Sequence, residues 1–229
     1  MAYAQLTPAH LRAAFYQQVG ENTSFWRTDE VDRILRESFR IFNCLTGFWH
    51  DTISIGPTVT GQHFYTVSAQ LTYIQRVEVA HHPLDSSSLW NLDYGQPQWE
   101  SESCASGDLP QVFAPAGVNL FAIWPASFAG GEALTVTGVI PAPDPTTVPF
   151  VNLGQSDLEM ILDYAEHIAQ FKEGGEEFDA SQLLLQEFLK EAGSRNSMLL
   201  KSQKFKQWMG LTDRPKRPMR VGSEQVGAR

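Results

Sequence analysis

The chain has 229 residues, of which 42% are hydrophobic and 19% are charged. These values exclude an intrinsically disordered protein and fit a globular chain that buries a sizeable core. Every apolar run is shorter than the roughly 20 residues that span a membrane, so we expect no membrane partner. Two cysteines, Cys44 and Cys104, are too few for a disulfide framework, and a reducing cytoplasm is the expected place of synthesis.

The formal net charge of −9 is unevenly distributed along the chain. Residues 201–229 contain eight Lys or Arg and two Asp or Glu, which gives +6, whereas the preceding 200 residues contain nine and 24, which gives −15. The acidic body is a poor partner for nucleic acid, because phosphate contacts require positive surface. The basic end has the composition to bind nucleic acid or an acidic protein surface.

The first 50 residues predict two helices. Thr7 followed by Pro8 is an N-cap with proline at the first helical position, and apolar residues follow at helical spacing. Thr28, with two acidic residues behind it, is the predicted N-cap of the second helix, and Gly47 is its predicted end.

An aromatic pair stands at each end of the second predicted helix. Phe25-Trp26 precedes the helix and Phe48-Trp49 follows it. An apolar residue beside a helix terminus commonly packs back onto the helix and fixes the entry of the chain. We therefore favour a structural anchor from each pair over an aromatic ligand site.

Two more helices are predicted after residue 150. Ser156 and Glu159 match a capping box, and the glycine pair at 174–175 predicts the end of that helix. The next helix is predicted to begin at Asp179 or Ser181, and its apolar periodicity continues as far as Trp208.

The middle of the chain, residues 50–150, has strand-like alternation instead of helical periodicity. The glycine pair at 130–131 stands between two strand patterns and predicts a hairpin turn. Residues 141–149 include four prolines and predict a stiff, extended return to the helices. The predicted strands are 64–67, 71–73, 77–79, 120–124 and 133–140.

The expected fold class is α+β: a helical bundle built from both ends of the chain, with an inserted antiparallel β-domain and an extended C-terminal tail. The predicted parts are 1–50 and 151–206 for the two portions of the bundle, 51–150 for the β-domain, and 207–229 for the basic tail.

The histidines give little indication of a catalytic or metal site. His81 and His82 are adjacent, but neighbours on a strand point to opposite faces, and no carboxylate or cysteine stands near them at ligand spacing. We expect an exposed strand end, with no metal and no cofactor. A hydrolase that uses His63, His81 and His82 is the weaker, enzymatic alternative.

Three polar residues of the third predicted helix, Asp163, Glu166 and His167, lie mostly off its apolar face. We interpret them as a solvated face and not as an acid–base pair. The sequence also contains no nucleophile-elbow, phosphate-loop, dinucleotide-binding or zinc-protease motif. The chain is therefore predicted not to be an enzyme.

The basic C-terminal segment combines lysines and arginines with two aromatic residues. A flexible basic segment that begins with an aromatic anchor is suited to folding onto a groove of a partner protein. We favour this docking role over a solubilising one. The candidate docking residues are Lys204, Phe205, Lys206, Trp208, Arg214, Lys216, Arg217 and Arg220.

Three stretches carry a resemblance to a known family. They are FWRTDEVDRILRESFRIFNCLTG from residue 25, GVNLFAIWPASFAGGEALTVTGVIPAP from residue 117, and LDYAEHIAQFKEGGEEFDASQLLLQEFL from residue 162. Their order resembles head–tail adaptor (connector or neck) proteins of tailed bacteriophages, over about residues 22–206. In that family the aliphatic-aromatic-Pro strand has the LTVT strand as its hairpin partner.

The resemblance implies a structural protein of the virion neck, assembled in the host cytoplasm. It implies a ring, typically dodecameric, that lies under the portal protein, extends the DNA channel without binding DNA specifically, and supports the next tail or nozzle protein. The C-terminal segment would dock on the portal. A tail or decoration protein that binds through its β-domain is the non-enzymatic alternative.

Overall fold

The structure, a computed structural model, describes residues 4–20, 25–67 and 71–196. Its helices are α1 Pro8–Gln18, α2 Thr28–Thr46, α3 Leu89–Gly95, α4 Gln155–Glu173, α5 Gly175–Ala180 and α6 Gln182–Arg195. Its strands are β1 Ala4–Leu6, β2 His50–Pro57, β3 Phe64–Thr66, β4 Tyr73–Val79, β5 His82–Pro83, β6 Asp85–Ser86, β7 Val112–Pro115, β8 Leu120–Trp124, β9 Ala133–Val139 and β10 Val151–Leu153. The mixture of helices with mainly antiparallel sheets confirms the α+β class.

The caps of the first two helices are close to the predicted ones. The hydroxyl of Thr7 accepts a hydrogen bond from the backbone of His10, which confirms the cap of α1. The cap of α2 is Arg27 and not Thr28, because the carboxylate of Glu30 accepts from the Arg27 amide and places the helix start one residue earlier. Gly47 ends α2 with a φ of 66°, as predicted.

The predicted capping box at Ser156 and Glu159 is wrong by two residues. α4 is capped at Gly154, whose amide donates to the Asp157 carboxylate, and Asp157 also forms an ion pair with Arg195 at the end of α6. Asp157 completes the cap in place of Glu159 because its carboxylate is buried and is paired with both the Gly154 amide and Arg195. The predicted stop is confirmed, since α4 ends at Glu173 before Gly174, but α5 intervenes before α6 begins.

Helices from both ends of the sequence share one hydrophobic core. α2 and α4 pack against each other, and each also contacts α1 and α6. β1 pairs with β10, which joins the start of the described chain to the strand that precedes α4. The aromatic pairs at the ends of α2 are anchors as predicted: Trp26 is fully buried, and Phe48 and Trp49 pack against the same core.

Two four-stranded sheets, counted over the described residues, share a second core. Their strand orders are β2-β9-β4-β5 and β3-β8-β7-β6. All pairings within them are antiparallel except β6 with β7, which is parallel and corrects the purely antiparallel prediction. Residues of both sheets fill the space between them, among them Val77, Val136, Phe113, Phe121 and Ile123. α3 covers the other face of the second sheet, where Leu92 and Trp99 are buried.

The glycine pair at 130–131 does not form the predicted hairpin turn. It links β8 to β9, which lie in different sheets, so the LTVT strand is not the hairpin partner of β8 either. Gly130 donates to the Ser127 hydroxyl and Gly131 donates to the Thr58 carbonyl. The carboxylate of Glu132 accepts from the hydroxyls of Ser127 and Thr58, which lowers its pKa. These bonds fix the crossover between the sheets.

Asn43 joins the helical core to the sheets. This α2 side chain is only 1% exposed. Its amide donates to the Ile140 carbonyl at 2.7 Å, and its oxygen accepts from the Trp49 amide at 2.9 Å. Trp49 and Ile140 are themselves hydrogen-bonded through the Trp49 carbonyl. The end of α2 and the end of β9 are therefore held by the same side chain.

Candidate interaction surfaces

All eight candidate docking residues of the C-terminal segment lie outside the described residues. The portal-docking interpretation of Lys204, Phe205, Lys206, Trp208, Arg214, Lys216, Arg217 and Arg220 therefore stays a prediction. The continuation of the last helix towards Trp208 lies outside them as well. The described residues offer other candidate surfaces, which the sequence did not indicate.

An apolar groove of about 410 Å³ lies between α2, α4 and α5. Ile34 of α2 and Ile168 of α4 form its walls, and Phe171 and Phe178 form its open edge. Phe171 is 74% exposed, and its ring meets that of Phe178 edge-on at 5.4 Å. Because such a ring gains little from contact with water, this is the part of the groove best suited to a partner side chain.

Lys172 closes one end of the groove. Its ammonium group donates to the carboxylate of Glu30 at 2.7 Å and to the carbonyl of Phe25 at 2.8 Å. It also lies 4.4 Å from the ring centre of Phe25 and 5.0 Å from that of Trp26. The hydrogen bond from Lys172, and after it the one from the Arg27 amide, lowers the pKa of Glu30. Lys172 is thus held in place by the protein itself, as a fixed wall.

His167 forms the buried floor of the groove. Its Nδ1 donates to the Ser181 hydroxyl at 2.9 Å, since the single hydrogen of that hydroxyl goes to the Phe178 carbonyl. Its ring stacks on Phe178 at 5.3 Å. Burial lowers the pKa of His167, so it is held in the neutral form near neutral pH. These contacts pin α5 and the start of α6 to α4.

The solvated face predicted for α4 is wrong at His167 and incomplete for its two acidic neighbours. Asp163 and Glu166 are half-buried, and the Gln18 amide from α1 donates to Asp163 at 3.1 Å. Burial raises the pKa of both carboxyl groups, and Glu187 and Glu159 raise that of Asp163 further. Helical spacing alone did not show that α1 covers this side of α4.

A second aromatic surface lies on α3, above the second sheet. Trp90 and Tyr94 are 69% and 79% exposed, and their rings stack with an interplanar angle of 3°. The surrounding part of the chain is acidic, because residues 51–150 contain one basic residue, Arg76, and nine Asp or Glu. An exposed Trp–Tyr stack in acidic surroundings suits a protein partner better than a phosphate-bearing one.

The histidines of the sheets do not form one group. His63 is buried in the second sheet, where Nδ1 donates to the Ile123 carbonyl and the ring lies edge-on to Trp99. His81 and His82 lie at the exposed β4–β5 turn of the other sheet, as expected of a strand end. Among residues 4–20, 25–67 and 71–196, no set of three His, Cys, Asp or Glu is placed to hold a metal ion.

The described helices include none that is both long and apolar enough to cross a membrane. Comparison of the chain with protein-family models and with curated proteins finds no match. The interpretation of function therefore rests on the surfaces above and on the resemblance noted in the sequence.

Proposed function

We propose that this chain is a head-to-tail adaptor of a tailed bacteriophage. It would be a structural neck protein that forms a ring under the portal, extends the DNA channel and carries the next tail or nozzle protein. One arrangement supports this proposal most directly: helices from both ends of the chain share a core, and the sheets between them form another. The adaptor resemblance implies the same order along the chain, an early helix, a β-region and a late pair of helices.

The distribution of surfaces is compatible with a ring. A closed ring of identical subunits needs two different patches on each subunit, because each interface is head-to-tail. The groove beside α5 is a candidate for one such patch. Specific DNA binding is not part of the proposal, because an acidic body repels phosphate and lets DNA slide past.

The basic C-terminal segment supplies the portal contact in this proposal. Arg214, Lys216, Arg217 and Arg220 lie in the last 21 residues, 209–229. Deleting those residues is expected to leave the cores intact, because the segment is basic, contains proline and glycine, and has few apolar residues to bury. The truncated chain should keep its melting temperature and lose binding to portal rings.

The test is a pull-down of full-length and truncated chains on purified portal rings, followed by electron cryomicroscopy of the complex. A matched control replaces the exposed Lys190 of α6 by Ala, which removes a cation outside the segment and should leave binding unchanged. Normal portal binding by the truncated chain would contradict the proposal. Subunits arranged around the channel axis in the image would support it.

A tail or decoration protein is the second candidate, and the Trp90–Tyr94 stack favours it. Exposed Trp and Tyr are the residue types that dominate protein interfaces. This candidate is supported if Trp90→Ala abolishes binding to a capsid or receptor while the chain shows no affinity for the portal. If the Trp90→Ala chain binds portal rings as the native chain does, the result supports the adaptor.

A further inference from the structure

The groove between α2, α4 and α5 has an apolar interior, and the short helix α5 beside it is strongly acidic. Its interior is lined by Ile34, Ile168, Phe171 and Phe178. α5, which contributes Phe178 to the groove, also carries three exposed carboxylates, those of Glu176, Glu177 and Asp179. On the α2 side stands the exposed cation Arg33, while Lys172 is already paired with Glu30. A fitting occupant is therefore an aromatic segment with lysines on one side.

The chain contains such a segment. Residues 201–208, KSQKFKQW, include three lysines, two aromatic residues and no acidic residue. Phe205, Trp208 and Met209 are spaced i, i+3 and i+4, so a helix would place them on one face. An amphipathic helix that lays its apolar face in a groove is a common mode of recognition.

The position at which the chain leaves α6 bears on which copy supplies the segment. Arg195 donates to Ser156 and pairs with Asp157, and Asn196 donates to the Leu45 carbonyl. The exit therefore lies at the start of α4, whereas Phe171 lies 14 residues along that helix, about 21 Å away at 1.5 Å per residue. Nine residues from Asn196 span about 14 Å as a helix and about 30 Å when fully extended, so contact with the groove of the same subunit would require an extended link, whereas a neighbouring copy can present the segment as a helix.

We propose that the groove receives the Phe205–Trp208 part of the C-terminal segment from a neighbouring copy of this chain. Both aromatic rings enter beside Phe171, and the lysines face the carboxylates of α5. The inference rests on the proposed ring in one respect, that copies stand side by side. It moves Phe205 and Trp208 from the portal contact to the contact between subunits, and it leaves Arg214 to Arg220 for the portal.

The experiment is sedimentation velocity of the full chain, without portal, at concentrations up to about 1 mM. The native chain should associate as concentration rises. Trp208→Ala and Phe171→Glu should each weaken association at least about 30-fold, because each removes an interface anchor. Phe171 is exposed, so its replacement leaves the fold intact. The matched control is Phe128→Glu, the same change at a half-exposed phenylalanine in the connection between β8 and β9, which should associate as the native chain does.

Mixing the two weakened variants gives the sharper result. The Phe171→Glu chain keeps an intact segment, and the Trp208→Ala chain keeps an intact groove. An equimolar mixture should form one-to-one dimers and nothing larger, since only one competent contact exists between unlike chains. A peptide of residues 201–211 should dissociate the native assembly.

Three results would overturn the inference: a native chain that stays monomeric throughout, a Phe171→Glu chain that associates normally, or a mixture that stays monomeric. The proposed function is tested separately. Deletion of 209–229 keeps Phe205 and Trp208, so it should preserve association while abolishing portal binding. A chain that associates through the groove without binding the portal would sustain this inference and contradict the adaptor.

Discussion

Replacing Asn43 by Ala tests whether one buried side chain holds the two cores together. The substitution removes the donor to the Ile140 carbonyl and the acceptor for the Trp49 amide. An unsatisfied buried backbone group costs about 1–3 kcal/mol, and both groups here are partly buried, which favours the lower end. The expected loss in the free energy of unfolding is therefore about 2–3 kcal/mol, measured by urea denaturation of the full chain.

Two further variants separate the hydrogen bonds from the general effect of a substitution. Asn43→Asp keeps the acceptor for Trp49 but sets a carboxylate against the Ile140 carbonyl, so it should destabilise at least as much as Ala near neutral pH. Asn91→Ala, at an exposed position of α3, should change the free energy by less than about 0.5 kcal/mol. If Asn43→Ala lowered the free energy of unfolding as little as Asn91→Ala does, the role of Asn43 in holding the helical core to the sheets would be refuted.

Three further predictions concern substitutions at other sites. Asp163→Asn should raise the melting temperature near pH 7. Burial raises the pKa of Asp163, so the folded state of the native chain loses stability as pH rises through that pKa. The gain should shrink towards about pH 4, where the aspartate of the unfolded chain is also protonated. Gly47→Ala should lower the free energy of unfolding, measured by urea denaturation, by about 1–3 kcal/mol. The φ of Gly47 is 66°, and the new Cβ would stand 2.8 Å from two side-chain atoms of β4. Gly61→Ala, at a φ of 68° with no neighbour within 4 Å, should lower it by less. Trp90→Ala and Tyr94→Ala should each change the unfolding free energy by less than about 0.5 kcal/mol, since both rings lie on the surface.

The elements that the sequence predicted are those with a strong local period. α2 carries an apolar stripe over its whole length and an obligatory positive-φ glycine at its end, and both signals are read from neighbouring residues. β8 matches its predicted bounds of 120–124 because its apolar run is bounded by Asn119 and Pro125, which are both unfavourable in strands. These local signals predict the structure correctly because tertiary packing favours the same conformations.

The features that the sequence did not predict depend on residues far apart in the chain. β1 and β10 are three residues each and are strands only because they pair with each other. The groove exists because α5 folds back over α4, where Ser181 holds His167. The error at the glycines 130–131 has the same origin: a local turn signal is compatible with a hairpin or a crossover, and only the partner strands decide between them.

The separation of charge between the sheets and the C-terminal segment bears on how an assembly of this chain would be ordered. Residues 51–150 have a net charge of −8 and residues 201–229 one of +6, so in a concentrated assembly the segments are drawn to the bodies of neighbouring copies. Charge alone does not favour the acidic sheets over the acidic helix α5 beside the groove, because screening by salt leaves little of either attraction beyond about 8 Å. The aromatic residues favour the groove as the binding site. The groove offers Phe171 as a contact for further rings, whereas Trp90 and Tyr94 already stack on each other. Raising the salt concentration should therefore slow association more than it weakens the final contact.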